Sequence, residues 1–177
     1  MGIFANATIE SKRNDENKTA PDYFKSMDKV DIKTVKDVIT IDNAIVRVKP
    51  KIVKDENGQP VKDENGKFIT MLDFNKKPVM SIIVFVSFDN GSKYFVTTSR
   101  PIINQFKVID KNIDFKMVGD YTVDGIKDSK VKITTTPVKL SDGKEYEYPV
   151  FIDVEDYRKW QTLIAYRSIW TKTNIKR

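Results

Sequence analysis

Alternating apolar and polar positions predict strands over most of the middle of the chain. Residues 37–48 alternate and are rich in valine and isoleucine, and their length favours a bulge near Asp42-Asn43. Residues 79–88 form the most apolar stretch, and the turn at residues 89–92 leads from it into residues 93–98. These last two segments predict a β-hairpin.

A second hairpin is predicted nearer the C-terminus. It consists of residues 130–140, the turn Ser141-Asp142-Gly143 and residues 144–153. A short strand is predicted over residues 68–74, and weaker strand patterns lie over residues 114–118 and 121–126.

Two helices are predicted. Ser99 is the candidate N-cap of a short helix over residues 102–108, and Pro101 lies in its first turn. Asp153 precedes a final helix over residues 154–169, with acids early and bases late in it. That order of charges complements the helix dipole.

Strands therefore outnumber helices, and no regular alternation of strand and long helix suggests a parallel sheet. The predicted fold is mainly β, a small OB-like antiparallel barrel or bent sheet with a short connecting helix and a C-terminal helix. The five-stranded OB barrel, with a helix between its third and fourth strands, is the nearest common pattern. The predicted organisation is a flexible arm over residues 1–30, a β-barrel domain over 31–153, and a basic aromatic helix and tail over 154–177. Within the arm, two groups are suited to dock locally or on a neighbouring subunit: Ile3 and Phe4 at one end, and Tyr23, Phe24 and Met27 at the other.

A tandem repeat follows the first strand. Lys54-Asp55-Glu56-Asn57-Gly58 recurs as Lys62-Asp63-Glu64-Asn65-Gly66. Asn-Gly favours turns because both residues tolerate positive φ. A calcium loop needs ligands at alternating positions and a closing Glu, which the repeat lacks. The repeat predicts a protruding hairpin or loop without a metal.

Composition excludes several classes of function. The chain has no cysteine and no histidine, which removes disulfides, thiolate and histidine metal sites, and nucleophilic catalysis by either residue. Its seven glycines form no phosphate-binding loop, and its acids show no catalytic or two-metal spacing. We therefore expect no enzyme, cofactor or metal. No apolar run or signal-peptide pattern indicates a membrane, so a cytoplasmic protein is expected.

The net charge of +6 is confined to the C-terminal segment. Residues 157–177 carry six basic residues and no acid, interleaved with Tyr157, Trp160, Tyr166 and Trp170. Bases interleaved with rings suit single-stranded nucleic acid. The alternative is a helix that packs its rings on the body and solvates its charges, and both interpretations stay open.

The two hairpins offer further candidate rings. In the first, Ser87 is expected opposite Tyr94 and Phe85 opposite Val96, so that Phe85 and Tyr94 share a face as a stacking platform. A slip of one residue would bury them instead. The opposite face is expected to be core and carries Met80, Ile82, Val84, Val86, Phe88 and Phe95.

In the second hairpin, Tyr146 and Tyr148 share a face, and Lys139 is expected opposite Tyr146. Lys130, Lys132 and Lys144 add positive charge nearby. Rings and lysines together suit a groove that follows phosphates. An ordinary solvent-facing strand is the alternative interpretation.

Two passages resemble OB-fold single-stranded DNA-binding proteins of phages and conjugative plasmids from Gram-positive bacteria. They are residues 91–99, Gly-Ser-Lys-Tyr-Phe-Val-Thr-Thr-Ser, before an Ile-rich helix, and residues 131–146, with a Gly-Lys-x-Tyr turn between strands. The resemblance implies sequence-tolerant binding of single-stranded DNA in replication or transfer of a phage or mobile element. Bacterial housekeeping members of that group end in an acidic tail, whereas this chain ends basic, which puts partner recruitment by an acidic tip in doubt.

Together these patterns define a set of predicted nucleic-acid-binding residues: Phe85, Lys93, Tyr94, Lys132, Lys139, Lys144, Tyr146, Tyr148, Arg158, Lys159, Trp160 and Arg167. The sequence does not separate DNA from RNA. Self-association through the N-terminal arm is a further expectation. The alternative function is a protein-interaction or assembly module of a phage or mobile element that binds no nucleic acid.

Overall fold

The computed structural model describes residues 20–153, which form a mainly β structure with one α-helix. The mainly β class predicted from the sequence is confirmed. The strands are β1 (Asp28–Lys29), β2 (Ile39–Pro50), β3 (Met80–Phe88), β4 (Lys93–Thr97), β5 (Gly119–Thr122), β6 (Lys130–Lys139) and β7 (Glu145–Asp153). The helix is α1 (Arg100–Ile109), and short 3-10 helices lie at Asp22–Phe24 and Ile32–Thr34.

The strands form a sheet that curls around β2. Six of them follow the order β1-β4-β3-β2-β6-β7, and β5 also pairs with β2. Only the short β1–β4 pair is parallel among the described pairs. β6 pairs with Ile39 and Thr40 alone, whereas β5 pairs with Ile45 to Val48. Because β6 leaves β2 so early, the sheet bends into a half-barrel.

The predicted bulge in β2 is confirmed. The register against β3 shifts between Ile41 and Asn43. Asp42 accepts a hydrogen bond from the Gly91 amide at 2.6 Å through Oδ2. The bulge thereby ties the start of β2 to the turn between β3 and β4.

The apolar core fills the inside of the half-barrel. It includes the face of β3 and β4 that was predicted to be core. Buried residues from β2, β3 and β4 pack there against α1 and β7. The ring of Phe151 lies 6.1 Å from that of Phe95 and 5.8 Å from that of Phe106, measured between centroids. These three rings join β4, α1 and β7 across the open side of the curl.

Side chains of α1 and of the residue before it form hydrogen bonds with backbone groups on the outer edge of β7. The amide of Gln105 donates to the Phe151 carbonyl at 2.9 Å and accepts from the Phe151 N–H at 3.1 Å. Ser99 precedes the helix as predicted, and Pro101 lies in its first turn. The Ser99 hydroxyl makes no capping bond, however, and instead donates to the Pro149 carbonyl at 2.5 Å.

Residues 51–79 between β2 and β3 form three short hairpins, which we call the lobe. Their turns begin at Asp55, Asp63 and Asp73. In each turn the Asp Oδ1 accepts from the amides two and four residues later, at 2.8–2.9 Å. The fourth turn residue has positive φ, and these residues are Gly58, Gly66 and Lys76. The predicted protrusion of the tandem repeat is confirmed, and it has a third member.

Two closed rings of backbone hydrogen bonds hold the lobe together. Val53 donates to Ile69, Ile69 to Val61, and Val61 to Val53, at 2.9–3.0 Å. A second ring links Lys51, Val79 and Met71 in the same cyclic way, at 2.7–2.9 Å. The three hairpins are thus fixed to one another by backbone bonds.

Two predicted strands are wrong. Residues 68–74 contain isolated bridges and the start of the third turn, and residues 114–118 form turns. In both segments a short Asp side chain binds following amides, as Asp114 binds that of Lys116 at 2.8 Å. Such local bonds compete with strand formation. The predicted C-terminal helix lies outside the described residues. Within residues 20–153, no helix combines the length and apolarity needed to cross a membrane.

Candidate nucleic-acid interface

Phe85 and Tyr94 lie on the outer face of the sheet in the predicted register. Ser87 pairs with Tyr94 and Phe85 pairs with Val96. Both rings are nevertheless buried, with exposed fractions of 5% and 1%. Phe24, which has no exposed surface, covers them with ring-centroid distances of 5.6 Å to Phe85 and 5.3 Å to Tyr94.

The covering segment is tied to β4 by its backbone. Asp28 donates to the Ser92 carbonyl at 2.9 Å, and Val30 donates to the Tyr94 carbonyl at 2.8 Å. The prediction of an exposed Phe85–Tyr94 platform is therefore wrong. Residues 20–30 are packed, so the predicted arm does not include them, and Phe24 and Met27 dock locally. The physical reason is that the aromatic segment removes an apolar face of β2, β3 and β4 from water, which lowers the free energy of the folded chain.

The charged groups beside this covered face are paired. The Arg47 guanidinium lies 5.3 Å from the Phe85 ring centroid and donates to both carboxylate oxygens of Asp120 at 2.7 Å. That hydrogen bond lowers the pKa of Asp120 and raises the pKa of Arg47. Lys93 lies 3.1 Å from the Asp89 carboxylate. The first hairpin thus presents neither open rings nor an unpaired cation from its predicted site residues.

The second hairpin adopts a register one residue away from the predicted one. Tyr146 pairs with Val138, and Lys139 pairs with Glu145. The cause is the loop of three residues, Ser141 to Gly143, in which Gly143 has a φ of +82°. Leu140 closes this loop by donating to the Lys144 carbonyl at 2.9 Å. Loop length sets the register of a hairpin, and one residue of slip moves a side chain to the opposite face.

The observed register sorts this hairpin by charge. Lys132, Lys144, Tyr146 and Tyr148 share the face directed away from the core, and we call it the tyrosine face. It also carries Thr134, Thr136, Val138, Val150 and Ile152. Tyr146 is 43% exposed, and both lysines are exposed. Glu145 and Glu147 lie on the other face with Lys139. Among the paired residues of β6 and β7 that the structure describes, no acid lies on the tyrosine face.

The backbone of this hairpin is regular despite its two prolines. Pro137 pairs with Glu147, and Pro149 pairs with Thr135. Hydrogen-bonded pairs alternate along the ladder from Leu140 and Lys144, so both prolines occupy pairs that need no N–H from them. The prolines also lack a donor on the outer edges, which disfavours pairing with a further strand. The tyrosine face is therefore carried by a continuous two-stranded antiparallel ladder.

A groove of about 260 Å³ lies at the base of this hairpin. It separates the segment Ile32 to Lys36 from residues of β6 and β7, and Thr134 lines it. Its lining includes Lys33 and Lys36, and no carboxylate among the residues that the structure describes. Thr134 belongs to the tyrosine face, whereas the other hairpin residues of the lining, Ile133, Thr135 and Pro149, lie on the opposite face.

The structure thus places four of the predicted residues on one face: Lys144, Tyr146 and Tyr148 toward the loop, and Lys132 at the far end of the ladder, opposite Ile152. It moves Lys139 to the opposite face, buries Phe85 and Tyr94, and pairs Lys93. Arg158, Lys159, Trp160 and Arg167 lie outside the described residues.

Two exposed rings of the lobe, Phe68 and Phe74, were not predicted. Phe74, expected at the end of a strand, lies in the third turn of the lobe and is 96% exposed. The available signal was the Asp-x-Asn spacing of Asp73 and Asn75, which repeats that of the two recognised turns.

Within residues 20–153, no three acidic side chains are grouped closely enough to hold a metal ion. Comparisons with known protein families, curated proteins and solved structures find no match to the chain.

Proposed function

We propose that the protein binds single-stranded DNA with little sequence preference through the tyrosine face. The observation that carries this proposal is the sorting of Lys132, Lys144, Tyr146 and Tyr148 onto one face, with Glu145 and Glu147 on the other. Rings of this kind stack bases of any sequence, and lysines follow the phosphates.

The order of the strands supports an OB-type barrel. When β2, β3, β4, β6 and β7 are counted as the five barrel strands and β5 is left outside them, α1 follows the third and precedes the fourth in chain order, as in OB folds. In OB folds, the loops after the first and fourth barrel strands bind oligonucleotides. The corresponding segments here are the lobe and the loop of residues 140–144, which ends the hairpin that carries the tyrosine face.

The proposal includes the biological setting that the family resemblance implies, namely replication or transfer of a phage or mobile element in the cytoplasm. It assigns no enzymatic step. Arg158, Lys159, Trp160 and Arg167 belong to it as further phosphate and base contacts, because residues 157–177 contain the whole excess of positive charge.

The test is a titration of the full chain with oligo-dT, duplex DNA and RNA at two salt concentrations. Lys132→Gln/Lys144→Gln should reduce the slope of log affinity against log salt by about 1.4, because each lost phosphate contact removes roughly 0.7. Lys139→Gln is the matched control on the opposite face and should leave the slope unchanged. The proposal would be contradicted if the affinity did not depend on salt, or if each of the three lysine substitutions changed the salt slope equally.

A protein-interaction or assembly role is the second candidate function. Met117 and Val118 are exposed, with fractions of 65% and 60%, beside the start of β5. Exposed aliphatic surface suits a protein partner more than a base. The absence of any shift of single-stranded DNA in the same titration would favour this role.

A further inference from the structure

The three hairpins of the lobe share one backbone geometry and differ in chemistry at three positions. The residue before each Asp is Lys54, Lys62 or Leu72; the residue after it is Glu56, Glu64 or Phe74; and the residue with positive φ is Gly58, Gly66 or Lys76. The first two hairpins are alike at all three positions, and the third differs at all three.

Phe74 is not needed for the turn in which it lies. The turn is held by Asp73, which accepts from the amides of Asn75 and Lys77 at 2.8 and 2.9 Å. The sister turns make the same bonds with Glu at the equivalent position. A ring that is 96% exposed contributes almost no burial. The fold therefore gives no reason for an aromatic residue at this tip.

Lys76 makes the third turn less favourable than its sisters. It adopts a φ of +59°, a conformation that glycine adopts freely and other residues adopt at a cost. The two glycines at this position show the residue that the backbone prefers. The third hairpin thus places a lysine next to an exposed ring at a cost to its own stability.

The surroundings of Phe74 favour a nucleic acid over a protein. Lys76 and Lys77 lie in the same turn, and the only acid of this turn is Asp73, whose carboxylate already accepts two amide bonds. The sister turns instead place Glu at the tip. A fully exposed ring next to two cations matches the stacking-and-phosphate pattern of single-strand contacts.

We infer that the tip of the third hairpin, Phe74 with Lys76 and Lys77, is a second contact for single-stranded DNA, at which Phe74 stacks on a base. This inference rests on the proposed function and extends it to the lobe. The tips of the first and second hairpins carry Glu56 and Glu64 instead of a ring and serve as internal controls. The second hairpin also has an exposed ring, Phe68, but it lies away from the tip, with its centroid 5.1 Å from the Lys62 ammonium.

The first experiment converts Phe74 into the residue of its sister turns. Phe74→Glu should fold normally, because the same turn forms twice with Glu, and it should weaken oligo-dT binding about fivefold or more. Phe74→Leu keeps an apolar side chain and removes the ring, so it should lose a similar part of the affinity. Glu64→Gln is the control in the second hairpin and should bind as the parent chain does.

The second experiment places a reporter at the tip. Phe74→Trp should lose fluorescence on addition of oligo-dT more than Glu64→Trp does, since both variants contain the same native tryptophans. If the parent chain binds no oligo-dT, the proposed function and this inference fall together. If the parent binds while Phe74→Trp and Glu64→Trp respond alike and Phe74→Glu binds normally, only this inference fails. Retained DNA affinity with a loss of self-association in Phe74→Glu would show a protein contact and overturn the assignment to DNA.

Discussion

The hairpins β3–β4 and β6–β7 have similar sequence patterns but differ in the exposure of their outer aromatic rings. Each places two aromatic rings on its outer face and carries lysines nearby. Phe85 and Tyr94 of the first are covered by Phe24, whereas Tyr146 of the second is open to solvent. The difference lies in what surrounds the rings.

On the covered face, most neighbours of the rings are apolar, although Ser87 pairs with Tyr94. Ile45 is buried there, and Ile83 and Val96 pack against the same cluster. On the tyrosine face, Thr136 pairs with Tyr148 and Val138 pairs with Tyr146, and Lys144 lies two residues from Tyr146. Apolar neighbours make a surface worth removing from water, and hydroxyl and ammonium neighbours make covering it costly. The residues around a ring therefore indicate its exposure better than the ring itself does.

The largest expected effect is at the cover of the first hairpin. Phe24→Ala should reduce the free energy of unfolding by about 3–5 kcal/mol, because it removes a fully buried ring from between Phe85 and Tyr94. Chemical denaturation followed by circular dichroism measures this. Tyr23→Ala is the adjacent control; its ring is 45% exposed, and it should cost about 1 kcal/mol or less. Equal losses would mean that the segment does not pack as described.

Much of the fold was predictable because its signals are local. Alternation located the long strands, the turn of residues 89–92 set the register of the first hairpin, and Asp42-Asn43 marked the bulge. The coarse mainly β class followed from these elements. Ser99 and Pro101 correctly marked the start of the helix, although the hydroxyl of Ser99 donates to β7 instead of capping the helix.

The features that were not predictable depend on distant contacts or on a single residue of register. Nothing near Phe85 indicates that Phe24 will cover it. The pairing of Lys139 with Glu145 depends on the loop having three residues, and that one choice decides which lysines join the tyrosines. The third hairpin was hidden because Lys76 replaces the expected glycine.

The open face should respond in the opposite way from the covered one. Tyr146→Ala/Tyr148→Ala should weaken oligo-dT binding by about 1–3 kcal/mol for each stacked base lost. Its cost in unfolding free energy should stay well below that of Phe24→Ala, since Tyr146 is 43% exposed and Tyr148 is only partly buried. Glu147→Ala, on the opposite face, should not weaken binding. A variant that unfolds like Phe24→Ala without losing affinity would reverse the comparison.

In the lobe, we expect backbone conformation, and not packing, to determine how a substitution changes stability. Gly58→Ala should destabilise its turn by about 1 kcal/mol, because φ is +77° and the added methyl meets no atom within 4 Å. Lys76→Gly should stabilise the third turn by up to about 1 kcal/mol for the same reason. Amide hydrogen exchange of the lobe measures both. The same sign of effect for the two variants would show that contacts, and not φ, decide these turns.

The smallest effect is expected at the border of the covered face, where Arg47 bridges Phe85 and Asp120. Asp120→Asn should cost about 0.5–1 kcal/mol at neutral pH, since the carboxyl is 40% exposed and solvent screens the pair. The hydrogen bond from Arg47 holds the pKa of Asp120 below its ordinary 3.8. The stabilisation is therefore complete above that ordinary value and is lost as the pH falls through the lower pKa of the folded chain. Asp22→Asn, which breaks the exposed pair with Lys25, should leave the unfolding midpoint unchanged. A difference between the parent and Asp120→Asn that persists undiminished in strong acid would show that the side chain acts through packing beside Phe85 and not through its charge.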